Sequence, residues 1–485
     1  MIKRSIGLVS FFLLFIAIGC SVGKDYSRPN IEIPEKYYSG RSDSLHNDIE
    51  TSNYSDIEWR SFFRDSVLIS LIDTALKNNF DIRRAAKNIE IASEQLKQSR
   101  ANFYPSVDAR AFDFLREYHS ENWFSNPSAN YYAGRAQPPR SFYTNRVNHS
   151  AVMASSWEID VWGKFRRQKE AAQAEFIRSN EFKKAVQTAL ISELAFNYYN
   201  LLMLNAQLDV ARTNLALNDS TLTIVKLQYS SGQVTALAIQ QTEAQKLVAA
   251  SLIPQIERDY TVSENRINEL LGRYPQQIQI NTNLENTEPH KLYSAGVPTE
   301  LLRNRPDVVA SEQALIASNA QVGVAQAMRY PSFNIGASLG LDAMVLSNFL
   351  DPVGSGFAAI SGSLLQPIFQ NRRLKTNYRI AVAENEIAEM NFLENIIQAV
   401  NEVSNAMVTL QKLEEEYVIA QDRITVSQKG VRSASLLFRS GMANYLEVIT
   451  AQRTALETEL DLVNIRMQIL SANIELYRSL GGGWK

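Results

Sequence analysis

The sequence predicts an α+β membrane protein of two similar halves, mostly long α-helices with two β-hairpins that supply four strands. Three observations point there. First, the chain repeats itself. Asn79-Phe80-Asp81-Ile82 and the later Asn102-Phe103-Tyr104-Pro105 are answered by Arg305-Pro306-Asp307-Val308 and Met328-Arg329-Tyr330-Pro331, 226 positions on. Tyr229-Ser230-Ser231-Gly232-Gln233 is answered by Phe438-Arg439-Ser440-Gly441-Met442 at an offset of 209. A repeat of this size implies two like structural halves. Second, residues 164–230 hold no Pro or Gly, and residues 371–440 hold no Pro and one Gly, Gly430. Each stretch would make a helix of about 100 Å at 1.5 Å per residue. Third, past the first twenty residues no window reaches 18 consecutive apolar residues. A membrane crossing would therefore have to use strands.

The elements follow in chain order. Residues 1–19 read as a signal peptide, with Lys3 and Arg4 before an apolar run from Ile6 to Ile18. Cys20 is the only cysteine, so no disulfide framework is possible. A lone Cys after an apolar run and Gly19 resembles the bacterial lipobox, with Ala17 where Leu is usual. That resemblance implies a diacylglycerol/palmitate anchor on Cys20, and Ser21 in place of Asp implies the outer membrane. Residues 20–56 read as a lipidated extended arm with Pro29 and Pro34. Residues 57–102 read as helical, with Ala85, Ile89, Ala92 and Leu96 at spacings of three and four. Pro105 ends that pattern, and residues 103–162 read as a first β-hairpin around a loop rich in Asn, Pro, Ser and Tyr.

Residues 163–272 read as a long helix, a break at Ser231-Gly232 and a helix back, kinked at Pro254. An irregular connection, 273–298, leads to the second half. There the plan recurs as helix (299–329), hairpin (330–370), long helical hairpin broken at Gly441 (371–480) and a short tail (481–485). In the second hairpin Phe333, Ile335, Ala337, Leu339 and Leu341 alternate with Asn334, Gly336, Ser338 and Gly340.

Charge is balanced, with 49 basic and 51 acidic residues, which excludes a basic surface for nucleic acid. His46, His119, His149 and His290 are scattered without metal-ligand spacing and read as surface or rim residues. No nucleophile motif or phosphate loop is present, so no enzyme, metal or cofactor is expected. Four strands leave two open sheet edges, which cannot face lipid because unpaired backbone groups cost several kcal/mol each there. Either the sheet stands in water or several copies close it into a barrel.

Specific strings then identify the chain as similar to the TolC-like outer membrane factors, in the lipoprotein branch that includes OprM and NodT. They are Asp25-Tyr26-Ser27-Arg28-Pro29 after Cys20, Trp59-Arg60-Ser61-Phe62-Phe63, and Trp157-Glu158-Ile159-Asp160-Val161-Trp162-Gly163-Lys164. Arg303-Asn304-Arg305-Pro306-Asp307-Val308, Pro367-Ile368-Phe369, and Tyr445-Leu446 with Ala451-Gln452 complete the set. The resemblance implies a homotrimer sharing a 12-stranded barrel in the outer membrane, continued by a helical tunnel in the periplasm. It implies a periplasmic adaptor and an inner-membrane pump, of the RND type, as partners. The chain would be the passive exit duct for drugs or other small toxic molecules.

The resemblance also assigns sites. The breaks Gly232, Gln233, Val234 and Gly441, Met442, Ala443 would form the periplasmic tip where adaptors dock. Leu446 matches an apolar gate position. Thr450 stands where a carboxylate ring is usual, and Glu447 matches a second acidic position. Phe438 and Ala443 replace a Tyr and an Arg that can latch the gate. Two other readings stay open: the same build serving metal-ion efflux or type I protein secretion, and a coiled-coil surface lipoprotein acting as an adhesin or scaffold.

Overall fold

The computed structural model describes residues 22–38, 57–119, 144–288 and 298–485. Cys20, His46 and His290 lie outside them. The chain divides into two compact units. One comprises Met1–Ser27, Ser93–Ala174 and Ile316–Ile387; the other comprises Arg28–Ala92, Glu175–Leu315 and Ala388–Lys485. The main elements are α1 (Ser66–Asn78), α2 (Phe80–Ala101), β1 (Ser106–His119), β2 (Thr144–Ile159), α3 (Lys164–Ser230), α4 (Ala236–Leu270), α5 (Pro306–Ala327), β3 (Ser332–Ala343), β4 (Gly356–Leu365), α6 (Arg373–Arg439) and α7 (Tyr445–Ser479). The halves match in length: α2 and α5 have 22 residues each, α3 and α6 have 67, and α4 and α7 have 35.

In the first unit the four strands form one antiparallel sheet in the order β1-β2-β3-β4. The registers define its faces, because side chains alternate along each strand. Met153 pairs with Ala109 and Leu339, Trp157 with Ile335, Phe333 with Leu364, and Ala337 with Ile360. That face is apolar. The opposite face pairs Asp108 with Ala154, Ala154 with Ser338, Ser156 with Gly336, and Gly336 with Ser361. It is small and polar. Gly340 allows close packing, since a Cβ there would overlap the Ala151 carbonyl oxygen of the neighbouring strand. A bulge shifts β1 between Arg110 and Asp113.

His149 is not a surface residue. It is buried on the apolar face, with its ring 5.9 Å from Phe112 and 5.3 Å from Phe114, because both phenyl rings cover it.

The Trp-Glu-Ile-Asp-Val-Trp-Gly-Lys string is the joint between β2 and α3. Both carboxylate oxygens of Asp160 accept from the α3 amides of Phe165 and Arg166, at 3.0 Å each. This anchors a helix start where backbone donors lack partners. Trp162 Nε1 donates to the Pro331 carbonyl at 2.7 Å and its ring stacks on Tyr330. The arm is tied down here as well. The Val22 amide donates to Trp162 O at 3.1 Å, and buried Arg167 donates to Asp25 at 2.7 Å and to the Gly23 carbonyl. Burial disfavours the charged guanidinium, but hydrogen bonds and charge from Glu170 and Asp25 outweigh it and raise the Arg167 pKa.

In the second unit the core gathers Phe62, Phe63, Leu68, Ile72, Tyr198, Leu201, Ile267 and Tyr477. Phe62 stacks on Tyr477 at 4.1 Å, and the Tyr198 hydroxyl donates to Asp65 at 2.7 Å. Asp65 also caps α1 through the Val67 amide.

The helical segments 57–102 and 299–329 are each divided into several helices. The first is split into Trp59–Phe62, α1 and α2; the second into the short turns Pro298–Glu300 and Leu301–Asn304, then α5. Asn79 stops α1 by turning extended (ψ 135°) and capping α2, its Oδ1 accepting from the amides of Asp81 and Ile82. Arg305 is extended because the following proline disfavours the helical region. The loop at Asp351 to Gly356 contains a helical turn, Pro352–Ser355, capped by Asp351.

Candidate gate and docking site at the helix breaks

Both breaks in the long helical hairpins are built alike. Gly232 (φ 71°) donates from its amide to Tyr229 O, and Gln233 to Gln228 O, at 2.9 Å each. Gly441 (φ 76°) donates to Phe438 O at 3.1 Å, and Met442 to Leu437 O at 2.9 Å. This is the Schellman pattern, which satisfies the last carbonyls of a helix and needs a left-handed residue that glycine supplies. Gln233 and Met442 occupy the same place in the two turns. Both are exposed, Met442 by 73%.

Behind the turns a small apolar cluster joins the hairpins. Val225 of α3, Ala238 of α4, Phe438 of α6 and Val448 of α7 are buried together, with Val234, Ala443 and Tyr445 packed against them. Phe438, where the resemblance expected a polar latch, is 3% exposed and belongs to this core. The Tyr445 hydroxyl donates to Gln241 Oε1 at 2.5 Å, and Gln452 Nε2 donates to Thr221 Oγ1 at 2.9 Å. Sequence reasoning missed both links; they bridge residues more than 200 positions apart, and no local pattern announces them.

Leu446, Glu447 and Thr450 all lie at the start of α7 and are exposed, Leu446 by 48%. Glu447 also has a local task. Asn444 is the N-cap of α7, its Oδ1 accepting from the Glu447 amide at 3.2 Å, while its Nδ2 donates to Glu447 Oε1 at 3.2 Å. The equivalent cap of α4, Thr235, makes no side-chain bond.

Among the described residues no helix is long and apolar enough to cross a membrane, and no group of three or more His, Cys, Asp or Glu could hold a metal ion.

The profile of the outer membrane efflux protein family matches residues 71–273 and 297–482. The chain belongs to that family. The cation efflux system protein CusC of Escherichia coli O6:H1 is 28% identical over 479 residues, covering 99% of each chain. A solved CusC structure superposes with a TM-score of 0.81 at 26% identity, covering 96% of this chain and all of that one. The toluene efflux pump outer membrane protein TtgF of Pseudomonas putida is 29% identical over 96% of this chain and 94% of its own length. The probable outer membrane lipoprotein SilC of Salmonella typhimurium is 27% identical over 98% of each. The long helical hairpins and the four-stranded sheet are thus those of an outer membrane efflux channel, a transport protein of the outer membrane. The adhesin or scaffold reading falls with this.

Proposed function

We propose that this outer membrane efflux protein is the exit duct of a tripartite efflux system. It passes drugs or other small toxic molecules from a periplasmic adaptor and an inner-membrane pump to the exterior. The observation that carries the reading is the sheet: one apolar face, one small and polar face, and outer edges of β1 and β4 unpaired among the described residues. A lone sheet with those edges is untenable in lipid, where each unpaired backbone group costs several kcal/mol. Three copies joined edge to edge make a closed 12-stranded wall, apolar outside and wet inside. The two hairpins, 103–162 and 330–370, are the membrane part. The helical hairpins 163–272 and 371–480 are the periplasmic tunnel.

Conduction is passive and no side chain does chemistry. Leu446 closes the narrow end and Glu447 rings it with carboxylates, which favours cations. Thr450 lies one turn on. The turns Gly232-Gln233-Val234 and Gly441-Met442-Ala443, with Gln233 and Met442 exposed, receive the adaptor. Cys20 carries the lipid anchor; the fixing of Val22 and Asp25 at the β2–α3 joint supports a membrane-side position for it. Its likeness to CusC along nearly the whole chain favours a second cargo reading, metal cations.

Planar-bilayer recording of the purified full-length protein tests the duct. Discrete conductance from a trimer, increased by Leu446→Ala, is the expected result. A monomer without conductance would end the reading. Growth assays of a deletion strain against dyes and against silver or copper salts separate the two cargo classes.

A further inference from the structure

The buried positions of α3 change character along its length. Leu201, Leu204, Leu208 and Ala211 are apolar, and Leu222 and Val225 are apolar again. Between them the buried positions are Asn214, Asn218 and Thr221. Thr242 of α4 and Gln452 of α7 are buried too. A cross-helix polar bond joins Gln452 to Thr221 here, while Thr242 is spent on its own helix, donating to Ala238 O. Asn218 is fully buried and Gln452 is 3% exposed, yet the amide oxygens of both accept no bond from the protein. On α6 the same stretch contributes no buried residue between Ala420 and Phe438.

A layer in which Asn214, Asn218, Thr221, Thr242 and Gln452 outnumber the buried apolar Ala249, Ala455 and Leu456 therefore lies between two apolar clusters. On one side is Leu204, Leu208, Ala211 and Ile256; on the other is Val225, Ala238, Phe438 and Val448. Buried apolar contact is what couples neighbouring parts of a helical bundle into one cooperative unit, and where it thins, segments open separately. Buried amides in a helical seam fix register and lower stability. Unmet acceptors add to that cost.

We infer that Asn218, Thr221 and Gln452 form a seam that makes the ends of the two helical hairpins a separate, low-stability unit, with these residues positioning the segment that carries Leu446 and Glu447. The seam stands on burial and bonding alone. Its effect on current rests on the gate reading above.

The test converts the layer to apolar packing with Asn218→Leu, Thr221→Val and Gln452→Met in the full-length protein. Hydrogen exchange followed by mass spectrometry should show amides of residues 226–241 and 436–450 slowed at least about tenfold. Those around Leu201 should keep their rates. Unchanged exchange near the breaks, or equal slowing everywhere, would overturn the seam. The milder pair Thr221→Val with Gln452→Met decides the matter if the triple variant does not fold; it should slow the same amides about threefold. Single-channel recordings on the same samples separate the two claims. Slowed exchange with lower open probability supports both. Slowed exchange with unchanged current keeps the seam and removes the gate from this end.

Discussion

The two halves solve one problem with different chemistry. Each return helix, α4 and α7, ends in a Schellman turn on a left-handed glycine, Gly272 (φ 65°) and Gly481 (φ 91°). Each end carbonyl must find a donor from the chain entering the next long element. In the first half Asn79 Nδ2 donates to Leu270 O at 2.9 Å. In the second Arg305 Nη1 donates to Ser479 O at 3.3 Å. Asn79 and Arg305 are repeat equivalents, 226 positions apart, and so are Leu270 and Ser479 at 209. The neutral amide needs nothing further. The guanidinium is a buried charge, and it brings Asp307 at 2.6 Å and Glu402 at 2.8 Å with it, while Arg478 leans on Glu402 and Glu475. The two halves thus share the geometry, one with a self-contained cap and the other with an ionic network.

The largest expected difference comes from removing the two donors. Arg305→Ala removes a buried guanidinium from half-buried Glu402, which keeps Arg478 at 3.4 Å, and takes the donor from the Ser479 carbonyl; it should destabilise by about 3 kcal/mol, the low end for a broken buried pair. Asn79→Ala loses one buried bond and a helix cap, about 1–3 kcal/mol. Thermal unfolding in detergent, read by circular dichroism, compares them. Equal shifts would show that the network adds nothing to the joint.

The glycines come next. A Cβ on Gly481 would stand 2.5 Å from Asn304 O and 2.8 Å from Asn304 C, whereas on Gly272 its nearest contact is Asn78 O at 2.9 Å. Both substitutions carry about 1–2 kcal/mol of left-handed strain. Gly481→Ala must also move backbone, so its melting point should fall further than that of Gly272→Ala. The reverse order would mean that the α7 end yields more easily than its packing indicates.

The pH response should separate the joints without any mutation. Burial pushes the Asp307 carboxyl up, but the hydrogen bonds and charge of Arg305, with backbone amides, prevail and hold it below the ordinary value. A lowered folded pKa contributes stability that is complete above the unfolded value of about 3.9 and fades as pH falls through the folded one. The Asn79 joint has no titrating member. Amides near Ser479 should therefore lose protection in that acid window, before those near Leu270. Simultaneous loss would deny Asp307 this part. Arg305→Asn, which imports the neutral solution, should remove the difference.

Much of this was legible in the sequence. The repeat, the Gly at each break and the strand alternation depend on local residue chemistry, so they survive as patterns. The Asn79 and Arg305 strings stood out as repeat marks, but their task depends on carbonyls 191 and 174 residues away, which no spacing rule reaches. The same holds for Tyr445 with Gln241, and for His149, whose cover by Phe112 and Phe114 follows from strand register and a bulge. The helix splits at residues 79 and 305 were readable in principle, since an Asn before Phe-Asp and an Arg before Pro are both stop signals. The proposed gate residues show a different limit. Exposure of Leu446, Glu447 and Thr450 in a single chain is common to a pore lining and to an ordinary surface.

The smallest stability effect is the most informative about function. The start of α7 differs from that of α4: Asn444 and Glu447 form a reciprocal cap, while Thr235 stands alone. In such a cap Gln serves as well as Glu, because the backbone amide and the side-chain oxygen do the bonding. Glu447→Gln should thus leave thermal stability within a few tenths of a kcal/mol, whereas Glu447→Ala should cost about 0.5–1 kcal/mol. The charge is a separate matter. Three carboxylates at a narrow pore raise the local concentration of cations, and three amides do not. Reversal potentials under a salt gradient should therefore move toward zero selectivity in Glu447→Gln with no change in melting point. Retained selectivity would leave Glu447 with the cap as its whole role, and the structure already accounts for that role by two hydrogen bonds.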